Sequence, residues 1–104
     1  MLSASEKERF ERQLIMPDIS ESGQIRIRDA SVFIAGIGGL GSISTYYMTA
    51  VGVGRIRFVD CDRVELSNLN RQIMHRTADI GQWKIRSAEE KLTQLNPDCR
   101  LESI

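Results

Sequence analysis

The residues best suited to chemistry are three glycines and an acid. Gly36, Gly38 and Gly41 lie in the run Gly36-Ile37-Gly38-Gly39-Leu40-Gly41, and Asp60 follows about twenty residues later. Glycine at the first position permits a tight turn, at the second it lets backbone approach a phosphate, and at the third it lets a helix pack closely on a strand. Unpaired N–H groups at the start of such a helix face an anion. An acid at Asp60 stands where a ribose hydroxyl would be bound. Further along, Lys84 falls in the first turn of an expected helix, where a cation opposes the helix dipole unless an anion is near. The chemistry implied is the binding of a nucleotide.

The elements that must position these groups are legible around them. Val32 to Ala35 is a short apolar run without alternation, which predicts a strand buried on both faces of a parallel sheet. Leu40, Ile43, Tyr47 and Val51 recur at helical spacing, Gly52 and Gly54 stop that helix, and Arg55 to Asp60 reads as a second strand. Cys61 to Gly81 shows no periodicity, and a connection that long is usually functional. Helix resumes near Gln82 with the stripe Ile85, Ala88, Leu92 and Leu95, stops at Asn96-Pro97, and Cys99 to Ile104 opens a third strand. Upstream, Ser5 to Leu14 reads as a helix capped by Ser5, with Arg9 and Arg12 on a solvated face. Ser20 to Arg28 mixes strand-like Ile25 and Ile27 with helix-favouring neighbours, and we read it as a short helix.

With right-handed crossovers, these elements predict an α/β fold: a Rossmann-like three-layer half-sheet of about three parallel strands, order 3-2-1, with flanking helices. Residues 1–30 form an N-terminal helical extension and residues 31–104 the nucleotide-binding half of a single, partial domain.

Composition sets bounds on this reading. At 104 residues the chain fits one small domain, and its 14 basic and 14 acidic residues give a formal net charge of +0, so neither nucleic acid nor an anionic membrane is implied. Two distant cysteines, Cys61 and Cys99, indicate neither a thiolate metal site nor a disulfide framework. The charged N-terminus does not resemble a signal peptide, and no apolar run reaches membrane-spanning length, so a cytoplasmic location is expected.

Several motifs together carry a resemblance: Arg9-Phe10-Glu11-Arg12-Gln13, the glycine run, Asp60-Cys61-Asp62, Ser67-Asn68-Leu69-Asn70-Arg71-Gln72, Gly81-Gln82-Trp83-Lys84 and Leu95-Asn96-Pro97. In these the chain resembles the adenylating superfamily of ThiF, MoeB, HesA and the ubiquitin-activating enzymes. The resemblance implies use of ATP to adenylate the C-terminal carboxylate of a ubiquitin-like or sulfur-carrier protein. It assigns Gly36, Gly38, Gly39 and Gly41 to the nucleotide cradle, Asp60 to the ribose, and Asn68, Arg71 and Lys84 to the phosphates. Asp62 either assists at the ribose or is structural. Arg12 would reach the nucleotide site of a neighbouring subunit in a homodimer, whose association Tyr46, Tyr47 and Met48 would help to drive. A magnesium-binding aspartate, the carrier-tail groove, any thioester cysteine and zinc-binding cysteine pairs would lie beyond Ile104.

Other readings of the same residues stay open at this point. Asp60 can cap a loop, Arg71 can pair with Glu65, and Lys84 can lie in solvent. The glycines and Asp60 also suit an NAD-dependent oxidoreductase domain, and the fold suits a non-catalytic assembly module. His75, the single histidine, reads as a surface or loop-packing residue, Trp83 and the Tyr46-Tyr47 pair as core or interface, and Cys61, between two aspartates, as a poor thiolate.

Overall fold

A computed structural model describes all residues, Met1–Ile104. The order of elements is α1 (Ala4–Arg9), α2 (Glu11–Leu14), α3 (Ser20–Arg28), β1 (Ser31–Ala35), α4 (Gly39–Val51), β2 (Arg55–Val59), α5 (Lys84–Leu95) and β3 (Arg100–Ser103), with single 3-10 turns at Leu66–Asn68 and Thr77–Asp79. The three strands form one parallel sheet in the order β1-β2-β3. Register pairs Val32 with Ile56 and Ile34 with Phe58, and Ile56 in turn with Leu101.

That register puts Val32, Ile34, Ile56, Phe58 and Leu101 on one face, where they meet Ala88 and Leu92 of α5 and Tyr46 and Met48 of α4 in a single core. Fully burying side chains such as Phe58, Ile56 and Leu92 stabilises the fold by about 1.5–3 kcal/mol each. The opposite face is open. Ser31, Phe33 and Ala35 are exposed there, Phe33 by 56%. The expectation that β1 is buried on both faces is therefore corrected: both crossovers turn the same way, so both helices land on the same side of the sheet.

A second correction concerns α4. Its apolar stripe faces outward, with Leu40 exposed by 86% and Tyr47 by 68%, while Ser42, Thr45 and Thr49 are fully buried. Small hydroxyl side chains allow the helix axis close to the sheet, and two of the three are satisfied locally, the buried Thr49 hydroxyl having no partner. Thr45 Oγ1 donates to the Gly41 carbonyl and Ser42 Oγ to that of Ile37. Large apolar residues at the same spacing would hold the helix off.

The N-terminal helix is two short helices rather than one. Ser3, not Ser5, is the cap, because Ser3 and Glu6 satisfy one another's backbone N–H in a reciprocal box. The chain breaks at Phe10, whose buried ring packs over Gly52. Helix α3 matches its expected span. Shorter bounds hold for the rest: β2 ends at Val59, β3 begins at Arg100, and α5 begins at Lys84 because residues 81–83 are engaged elsewhere.

Candidate functional site

The glycine turn is held at both ends. Gly36 adopts φ +96, a left-handed conformation that favours glycine, and its N–H donates to the Val59 carbonyl at 2.8 Å. A Cβ on Gly41 would overlap the Gly36 carbonyl, so the first turn of α4 sits against the end of β1 only because that position is glycine. No side chain caps α4 at Gly38. Its first N–H groups, at Gly39, Leu40 and Gly41, accordingly have no partner inside the helix and point out from the end of the sheet.

Asp60 closes the turn from behind. Its Oδ2 accepts the Ile37 N–H at 2.7 Å and its Oδ1 the Asp62 N–H at 2.7 Å. A carboxylate has about four acceptor positions, so capacity for a ribose hydroxyl remains.

Arg71 and Gln72 are brought to this turn by the 61–81 connection. A Cβ on Gly39 would stand 3.9 Å from the Arg71 stem, and one on Gly38 3.9 Å from Gln72 Nε2. Arg71 does not pair with Glu65; its Nη1 donates to Ser67 O and Asn70 Oδ1, leaving the guanidinium exposed. Asn68 holds this segment in shape, accepting the Glu65 N–H at 2.9 Å through Oδ1, which leaves its amide donors free.

A strap carries Lys84. Residues 62–64 run antiparallel to 81–84 through Val64 N–Gln82 O (2.8 Å), Gly81 N–Val64 O (2.9 Å) and Lys84 N–Asp62 O (3.0 Å). Arg63 fastens its outer side, stacking 3.9 Å over Trp83 and donating to Gly81 O. The Lys84 side chain is largely buried, at 6% exposure for the residue, and its ammonium makes no hydrogen bond or ion pair with the protein. Its nitrogen is not sealed from solvent, so it is free to meet an anionic ligand. Asp62 joins this strap through its backbone while its side chain stays exposed.

Arg12 is not part of this cluster. Its neighbour Gln13 donates to the Val51 carbonyl at the far end of α4, which is about 20 Å from the glycine turn. The rest of the N-terminal motif is structural here, with Arg9 donating to the Leu95 carbonyl that ends α5. Arg12 itself is exposed and makes no side-chain contact of this kind.

Sequence reasoning missed a buried polar cluster beneath the site. Lys91 Nζ lies 2.6 Å from Asp79 Oδ2 and 3.1 Å from Ser87 Oγ, which is 2.8 Å from His75 Nδ1. The usable signal was periodicity, since Lys84, Ser87 and Lys91 share the face of Ala88 and Leu92. Burial pushes the His75 pKa below its ordinary 6.5, assisted by the charges of Lys84 and Lys91 and opposed by the Ile37 backbone and Asp79. For Asp79, burial acts upward, but the hydrogen bonds from Lys91 and the Arg76 N–H, together with the charge of Lys91, outweigh it and leave the carboxyl below 3.8.

Comparison with known proteins decides the lineage. The sequence model of the ThiF family matches residues 10–104. The chain belongs to the ThiF family. It is 45% identical over 98 residues to a sulfur carrier protein adenylyltransferase of Thermus thermophilus, covering 94% of this chain and 36% of that protein. Among solved structures it superposes on tRNA N6-threonylcarbamoyladenosine dehydratase of E. coli in complex with ATP, with TM-score 0.92, 30% identity, and coverage of 100% of this chain and 42% of the other. It also superposes on E. coli MccB solved with MccA-N7isoASN, with TM-score 0.85, 27% identity, and coverage of 92% of this chain and 29% of the other. The chain thus spans about a third of the length of the curated relative (36%). No helix is long and apolar enough to cross a membrane.

Proposed function

We propose that this ThiF-family chain binds ATP at the glycine turn and serves the adenylation of a carboxylate, the C-terminus of a small sulfur-carrier or ubiquitin-like protein. The observation that carries the reading is the glycine turn, whose helix N–H groups are free and which Arg71 approaches, together with Lys84, a largely buried side chain whose ammonium has no protein acceptor. In this reading the α4 N–H groups, Arg71 and Lys84 hold the phosphates, and Asn68 offers its free amide donors there. Asp60, with Asp62 beside it, meets the ribose. The carboxylate oxygen bonds to the α-phosphorus as the bond to the bridging oxygen of pyrophosphate breaks. Fixed cations and N–H groups stabilise the charge that develops on the transferring group.

Family relatives named for adenylation and a structural neighbour solved with ATP support the choice of nucleotide. Magnesium would neutralise the phosphate oxygens when bound. By the family resemblance, its aspartate ligand would lie outside these residues. The outward stripe of α4 and the exposed Arg12 favour a homodimer in which Arg12 serves the neighbouring site, and a cytoplasmic location fits such a role.

Calorimetry with ATP and NAD side by side tests the reading, followed by Arg71→Ala and Lys84→Ala. ATP binding weakened by both substitutions is the expected result. NAD binding indifferent to both overturns it. ATP–pyrophosphate exchange with a carrier protein added then tests the chemical step.

A further inference from the structure

No helix covers the face of the sheet opposite the core, and the register divides that face in two. Toward the glycine turn it is apolar, with Ala35 beside Val59 and the exposed Phe33 just before them. Toward the other end it is charged, with Arg55 in register with Arg100, and Arg57 with Glu102. Parallel sheets are found almost only with both faces covered, and the cover is made of helices.

Glu102 serves all three arginines. Arg55 grips it with two prongs, Nε to Oε1 at 3.1 Å and Nη2 to Oε2 at 3.0 Å, while Arg57 Nε stands 3.2 Å from Oε2 and Arg100 Nε 3.5 Å from Oε1. A carboxylate has about four acceptor positions, so this one is fully occupied. Two positive charges are left over, because no other acidic side chain pairs with these arginines. Arg57 and Arg100 approach Glu102 through Nε alone, and their side chains are 49% and 74% exposed, so the terminal amino groups of both forks are free for an outside acceptor.

We propose that this face docks an acidic amphipathic helix of a partner polypeptide, with carboxylates on Arg57 and Arg100 and apolar side chains on Phe33, Ala35 and Val59. Each part of the surface asks for that occupant. A carboxylate matches the geometry of a free guanidinium fork, and the strip beside the arginines takes apolar side chains. A second copy of the same face is opposed by charge, since it sets the surplus arginines of one chain against those of the other. A nucleic acid would satisfy the arginines, yet it would bring phosphates to Glu102 and leave Phe33 without an apolar partner. The docking is independent of what binds at the glycine turn.

A synthetic helical peptide with a leucine stripe flanked by glutamates is the probe, and its twin with lysine for every glutamate is the control. Titrated into the 15N-labelled chain, the glutamate peptide should shift the Arg57 and Arg100 Nε–H signals and the amides of Phe33, Ala35 and Val59, and the lysine twin should not. Arg57→Gln combined with Arg100→Gln should weaken binding about tenfold and remove most of its salt dependence. Phe33→Ser should weaken it about fivefold. If the glutamine pair does not fold, the salt dependence of the wild-type chain and the lysine twin decide. Equal binding by both peptides, shifts confined to Leu40 and Tyr47 on the outward face of α4, or no binding at millimolar peptide overturns the proposal. So does a single-stranded oligonucleotide that moves the same arginine signals and displaces the glutamate peptide, which would make the face a nucleic-acid surface. Self-association of the free chain that Phe33→Ser abolishes would give the face to a second copy, and overturns it too.

Discussion

The carboxylate of Asp60 and the backbone N–H of Ile37 meet at 2.7 Å, joining the exit of β2 to the turn that follows β1. A residue proposed to meet the ribose is thus also a brace for the proposed phosphate turn. Asp60→Ala should destabilise the fold by about 1–3 kcal/mol, because the Ile37 donor loses its charged acceptor. Urea melts measure the loss, and faster hydrogen exchange at Ile37 would show where it arises.

Gly39 and Gly41, two residues apart, should behave differently. Gly41→Ala puts a methyl into the Gly36 carbonyl and should cost about 1–3 kcal/mol or more of stability, since the backbone has to move. A methyl at Gly39 meets only the Arg71 stem at 3.9 Å. Gly39→Ala should leave the melting temperature near wild type and weaken ATP binding, because the methyl occupies space at the phosphates.

Lys84→Met should lower ATP affinity with little change in stability. The Lys84 ammonium has no hydrogen-bond partner in the chain and its nitrogen is not sealed from solvent, so the fold loses no bond with it. The same substitution removes one of the charges that hold the His75 pKa down, so the ring should titrate at higher pH. A Lys84→Met chain less stable than wild type in urea would mean that its ammonium is already satisfied in the free protein.

Acid should unfold the chain in two stages. The folded pKa of His75 lies below the 6.5 of the free side chain, so the unfolded state takes up the proton more readily. Stability from a neutral His75 is complete above that value and is lost as pH falls beneath it. Asp79 has a lowered folded pKa, so its contribution persists above 3.8 and is lost at lower pH. His75→Gln should flatten the stability profile in the first window and leave the second, which thermal melts across pH will show.

Tyr47 and Arg12 address assembly. Tyr47→Lys on the outward face of α4 should shift sedimentation toward monomer without unfolding the chain, because that side chain is already in solvent. Arg12→Ala should change neither melting temperature nor fold, since the exposed Arg12 side chain makes no hydrogen bond or ion pair in its own chain, and any loss of ATP affinity should vanish in the Tyr47→Lys variant.

What could be read from the sequence was the part governed by local chemistry. Gly36, Gly41 and Gly52 marked real constraints of conformation or space, and the stripe of α5 pointed inward at Ala88 and Leu92 as expected. The stripe of α4 misled because hydrophobic periodicity reports which residues share a face and not what that face meets. Leu40 and Tyr47 share a face, and it points outward. The relation of His75 and Asp79 to Lys91 was illegible for a related reason: residues on a connection without periodicity meet the inward face of α5 only when that connection folds against it.

The open side of β1 has a consequence of a different kind. This strand pairs only with β2, so its far edge offers a row of free backbone donors and acceptors. Ser31 to Ala35 contains no charge and no proline, and Phe33 stands exposed in it. Native sheets usually guard such a margin with lysine, proline or a bulge. Left bare, it is a template on which another strand can grow, so the solubility of this chain at high concentration depends on whatever lies along β1.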